Sequence, residues 1–80
     1  MKAIYKTPFG QFVRVKFRTI NNFKKSIHVS EPTARNYIIH PYNMRIKDIT
    51  LISEITNTSR DEIWGLMAQT ERVNNEYDQA

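Results

Sequence analysis

Along most of this chain the apolar residues recur every three or four positions. Ile20, Phe23 and Ile27 fall at i, i+3 and i+7, so they share one side of a helix while Asn21, Asn22, Lys24 and Lys25 face water. Thr19 is suited to cap that helix. Ser30, Glu31 and Pro32 then open a second one. Serine is an N-cap residue, the acid complements the helix dipole, and proline lacks only a donor that the first turn does not use. Ala34, Tyr37 and Ile38 point inward from this helix, Glu31, Thr33, Arg35 and Asn36 outward, and Pro41 ends it near His40. Farther on, Ile46, Ile49, Ile52 and Ile55 recur every third residue with Leu51 alongside, predicting a helix from about 44 to 56 with a broad apolar face. "SRDE" (59–62) has the form of a capping box, with Ser59 and Glu62 in the reciprocal positions. It opens a last helix carrying Ile63, Trp64, Leu66 and Met67 inward, and Val73 and Tyr77 continue that face weakly through a polar tail.

The N-terminal quarter reads two ways. In "TPFGQFVRVKFR" (7–18), Val13, Val15 and Phe17 alternate with Arg14, Lys16 and Arg18 as in a half-buried strand. Phe9, Phe12, Val13 and Phe17 also share a helical face, and Thr7 followed by Pro8 makes a good helix start. Helix is preferred here, although Gly10 and the β-branched residues weigh against it. Residues 2–6, "KAIYK", suit a short strand or an arm. The expected fold is all-α, with four to five short helices in one domain over residues 1–67 and a polar extension over 68–80.

Composition adds limits. Eighty residues support a core only a few side chains deep. A hydrophobic content of 40% with 25% charged residues is that of a folded soluble domain rather than a disordered chain. The absence of cysteine removes disulfides and thiolate zinc sites, and no apolar run approaches the roughly 18 residues of a membrane span. A cytoplasmic protein with no membrane association is expected. His28 and His40 lie twelve apart with only Glu31 nearby, so neither a metal nor another cofactor is expected. Charge is distributed unevenly. Through Lys47, ten lysines and arginines stand against Glu31 alone, a net of +9; from Asp48 onward, Arg60 and Arg72 stand against seven acids, a net of −5. That asymmetry favours one face offered to a polyanion.

The stretch "TINNFKKSIHVSEPTARNYI" (19–38) joins two short helices by a tight turn. Ile20, Phe23 and Ile27 anchor the first, Val29 anchors the turn, and Ala34 is the small inward residue that lets the helices approach. It resembles the helix-turn-helix of the phage repressor and Cro-like (lambda-repressor-like) DNA-binding family, with the motif over 19–39. "RIKDITLISEITNTSRDEIWGLM" (45–67) is similar to that family's two closing helices. The likeness spans roughly residues 7–67 and rests on pattern. Departures are Lys24 where the family has a small residue, Ile20 where it has glutamine, and His28 where it has the turn glycine. A left-handed backbone at His28 would cost about 1 kcal/mol relative to glycine.

The resemblance implies that the outward side of the second helix lies in the major groove of double-stranded DNA. By position the base readers are Glu31, Thr33, Arg35 and Asn36. Their chemistry suits cytosine, a thymine methyl group or a phosphate, guanine and adenine respectively. Thr19, Asn21, Ser30, Asn43, Arg45 and Lys47 are the implied phosphate contacts. The function implied is a sequence-specific transcriptional regulator, a phage or mobile-element repressor acting by operator occlusion. One unit covers few base pairs, so a homodimer is expected, with Trp64, Val73 and Tyr77 or the N-terminal arm as the dimer surface.

Other readings compete. The same scaffold can serve a small protein-binding inhibitor or adaptor using the face from Glu31 to Asn36, or Trp64. The basic, aromatic "VRVKFR" can instead line a nonspecific or single-stranded nucleic-acid surface. Trp64 is most simply a core residue. An enzyme acting on a small-molecule substrate is disfavoured: Gly10 and Gly65 form no phosphate cradle, and no nucleophile, histidine and carboxylate are grouped.

Overall fold

The computed structural model describes residues 6–79, with side chains described through Asn74. Residues 2–5 of the expected strand or arm, and the Tyr77 side chain, lie outside the described residues. Those described are all-helical: α1 (Pro8–Phe17), α2 (Ile20–Ile27), α3 (Glu31–Ile39), a 3-10 turn (Pro41–Asn43), α4 (Ile46–Thr56) and α5 (Arg60–Gln79).

The alternating segment 11–18 is helix, not strand. All the orphan donors of its first turn are met. Pro8 has none, the Phe9 N–H reaches across the fold to Thr70 Oγ1 at 2.8 Å, Gly10 N–H bonds Thr7 Oγ1 at 3.0 Å, and Gln11 N–H bonds the Thr7 carbonyl at 2.9 Å. Phe9, Val13 and Phe17 are buried while Val15 is exposed, which follows the helical face and not the alternation. Arg18 (φ 74, ψ −48) closes the helix in a tight left-handed turn, with the Thr19 N–H bonded to the Phe17 carbonyl at 2.8 Å.

The core joins Phe9, Val13 and Phe17 of α1 to Phe23 and Ile27 of α2. Ala34, Tyr37 and Ile38 of α3 complete it with Ile49 and Ile52 of α4 and Ile63 and Met67 of α5. The Phe17 and Phe23 rings meet edge to face at 5.1 Å. α5 packs along α1, α4 and the 3-10 turn, while α2 packs against α3 and α4. The polar run beyond Met67 continues α5 and contributes buried Thr70, whose hydroxyl donates to the Leu66 carbonyl at 2.9 Å.

Three inward assignments fail. Ile46 is 73% exposed, Ile55 46% and Trp64 47%. A repeat of three drifts about 60° per step on a helix of 3.6 residues per turn, so Ile46 and Ile55 end roughly half a turn apart and only Ile49 and Ile52 face the core. On α5 the inward stripe is Ile63, Met67 and Thr70; Trp64 lies one residue, about 100°, off it.

Candidate nucleic-acid interface

The α2–α3 corner is built from local rules. Thr19 Oγ1 accepts the Asn22 N–H at 3.1 Å and caps α2, as expected of a threonine before an apolar stripe. α2 ends at His28, whose backbone is left-handed (φ 60, ψ 50), and the N–H groups of His28 and Val29 both turn back to the Lys24 carbonyl. Ser30 then caps α3, accepting the Thr33 N–H at 3.4 Å and donating to Thr33 Oγ1 at 3.0 Å. The turn between the two helices is thus three residues long, 28–30. Ala34, wholly buried, and half-buried Val29 seat it on the core.

The outward side of α3 is polar and already organised. Arg35 donates from Nε and Nη2 to Glu31 Oε2 at 3.1 and 3.0 Å, one turn apart on the helix. Asn36 Oδ1 accepts from Asn43 Nδ2 at 2.7 Å, which ties α3 to the 3-10 turn that follows it. That turn is itself held from α5. Asn74 Nδ2 donates to the Ile39 carbonyl at 2.7 Å, and Glu71 Oε2 accepts the Tyr42 N–H at 3.2 Å. His40 Nδ1 lies 3.8 Å from Glu71 Oε1.

Between the corner and the start of α4 runs an open groove of about 460 Å³, with His28, Ser30, Thr33, Tyr37, Arg45 and Lys47 on its walls. Four of the residues singled out from the sequence, Ser30, Thr33, Arg45 and Lys47, therefore meet at one feature. Glu31 with Arg35, and Asn36 with Asn43, form two further pairs beside it. Thr19 and Asn21 are exposed at the start of α2, and no hydrogen bond among the described residues joins them to this group. Buried Asp48 lines the groove too, and its Oδ2 accepts from Tyr37 Oη at 2.9 Å. Burial first, and then the Asp48 carboxylate, push the Tyr37 phenol above its ordinary pKa, while Arg45 pulls the other way.

Sequence reasoning missed His28 as a groove residue and the Tyr37–Asp48 contact. The i, i+4 spacing of Glu31 and Arg35 could have signalled their pairing. Nothing local signals a bond from Asn43 back to Asn36. Of the residues named for a dimer surface, Trp64 and Val73 do not share one stripe. Trp64 is half-exposed and Val73 partly buried, and nine residues along one helix set them about 180° apart. Among the described residues no group of three or more His, Asp or Glu side chains could hold a metal, and no helix is long and apolar enough to cross a membrane. Comparison of the chain with protein-family models, with curated proteins and with solved structures finds no match.

Proposed function

We propose that this chain is a sequence-specific DNA-binding transcriptional regulator, a Cro-like helix-turn-helix repressor of phage or mobile-element type that acts in the cytoplasm by occluding its operator. α2 and α3 are the two helices of the motif in this reading, and α3 enters the major groove. The observation that carries it is the convergence of Ser30, Thr33, Arg45 and Lys47 on one groove beside the polar side of α3, in the strongly basic half of the chain. Hydroxyls and cations in that arrangement suit a phosphate backbone, and Arg35 and Asn36 beside them suit base edges. A homodimer on two half-sites about 10 bp apart, or a multiple of it, supplies the specificity one corner lacks.

The test is selection of bound duplexes from a randomised DNA pool at near-physiological salt. A palindromic motif is expected. Absence of any motif would move the reading to a second class, a protein-binding inhibitor or adaptor. That class is favoured by the half-exposed Trp64 and Ile55 in a region carrying the exposed acids Glu54, Asp61 and Glu62. Salt separates the two: binding through several phosphates falls steeply as salt rises, whereas an apolar contact at Trp64 barely responds.

A further inference from the structure

We infer, resting on the DNA-binding reading above, that His28 is a proton-dependent phosphate contact, so that the groove grips a nucleic-acid backbone more tightly when this imidazole is charged. His28 is exposed in the three-residue turn and lines the same groove as Ser30, Thr33, Arg45 and Lys47. Its backbone is left-handed (φ 60, ψ 50), a conformation that strains any residue with a Cβ but that histidine adopts more readily than most. The fold thus holds an imidazole at the groove where glycine would fit with less strain.

The charges around it leave room for an anion. Arg45 and Lys47 face the groove from the start of α4, and Lys24 and Lys25 lie on the last turn of α2. Among the described residues neither these four cations nor His28 has an ion pair or a side-chain hydrogen bond. The neighbouring acids are already engaged. Glu31 of α3 accepts from Arg35, and Asp48, buried on the groove wall, accepts from the Tyr37 phenol.

A phosphodiester entering the groove brings a negative charge that nothing there has neutralised. A charged imidazole donates from both ring nitrogens and attracts that phosphate, whereas a neutral one donates from a single nitrogen. Phosphate therefore favours the charged ring, and binding is linked to uptake of a proton. The sign follows: affinity rises as pH falls through the range, about pH 5 to 8, in which histidines change charge. The other histidine, His40, titrates against Glu71 at 3.8 Å and does not line the groove, so it serves as the control.

The test is duplex affinity at about pH 6 and about pH 8, each over several salt concentrations. Wild type should bind about tenfold tighter at the lower pH, with a slope of log K against log salt steeper by about one. His28→Gln keeps the length of the side chain without its charge, and should show the shallower slope and nearly equal affinity at both pH values. His28→Lys carries a permanent charge and should show the steeper slope at both. His40→Gln should behave as wild type. His28 is exposed, so circular dichroism should show the fold intact in its variants. Equal wild-type affinity at the two pH values, or a pH dependence that survives in His28→Gln, would overturn the inference and leave the DNA reading standing. Absence of duplex binding at either pH would end both.

Discussion

Tyr37 Oη donates a 2.9 Å hydrogen bond to Asp48, and this contact between two buried side chains joins the third helix to the fourth. With the bonds of Glu71 and Asn74 to the α3–α4 connection, it sets the polar side of α3 relative to Arg45 and Lys47. Tyr37→Phe leaves a buried carboxylate oxygen without that donor and should cost about 1–3 kcal/mol in denaturant unfolding. The same contact has an alkaline signature. The phenol pKa is raised above 10.0 in the folded state, so the folded chain holds its proton more tightly than the unfolded one. Its contribution to stability is therefore fully present below pH 10 and is lost as pH rises through the folded value. Melting temperature measured from pH 8 to 11 should fall more steeply in wild type than in Tyr37→Phe.

His28 occupies a left-handed conformation that a residue with a Cβ adopts at a cost. His28→Gly removes that cost and should stabilise the protein by about 1 kcal/mol in chemical denaturation. Asn57, also left-handed at the end of α4, should gain less from the same change because asparagine tolerates this region.

Thr70 is wholly buried and is the acceptor for the Phe9 N–H, 61 residues away in sequence. Thr70→Val keeps the shape but strands that donor, and should cost about 1–3 kcal/mol. Thr70→Ser, which retains the hydroxyl, should recover part of it. Thermal unfolding of the three proteins measures the difference.

Arg35 and Lys47 should separate by kind of defect. On the proposed reading Arg35 contacts a base, so Arg35→Ala should abolish preference between operator and unrelated duplex. Losing its one-turn ion pair with Glu31 costs stability only about 0.3–0.5 kcal/mol. Lys47→Ala should weaken binding to every sequence alike and reduce the slope of log K against log salt by about one. Titration of wild type and both variants on both duplexes at several salt concentrations measures these differences.

Trp64 and Val73 look away from each other, so a two-fold contact that buries one leaves the other outside. Exposure favours Trp64. Trp64→Ser should shift the proposed dimer toward monomer in sedimentation equilibrium while leaving the unfolding free energy of the monomer within about 0.5 kcal/mol of wild type. An undiminished dimer would place the interface elsewhere.

Much of the fold was legible because it depends on neighbours in sequence. Thr7, Thr19, Ser30 and Ser59 each cap the helix that follows, as hydroxyls before apolar stripes should. The stripe Phe23, Ile27, Ala34, Tyr37 and Ile38 is buried as its spacing requires. Ile46 and Ile55 were not legible, because a period of three shows that a helix is apolar without showing which part of its circumference meets the core. Trp64 misled through its size. A large apolar side chain is expected inside, but the register of α5 is decided by what α1 and α4 present to it.

For the candidate site the division is sharper. The residues of Ser30 to Asn36 and their outward order follow from one helix and its cap, so the sequence by itself determined which side chains α3 offers. Which of them meet Arg45, Lys47 and Asn43 was decided by tertiary structure. Those contacts depend on how the α3–α4 connection is folded, and that is set by Tyr37 bonding Asp48 and by Glu71 and Asn74 reaching in from α5. Helix periodicity constrains residues three and four apart, whereas a hydrogen bond spanning 29 or 35 residues leaves no local pattern to read.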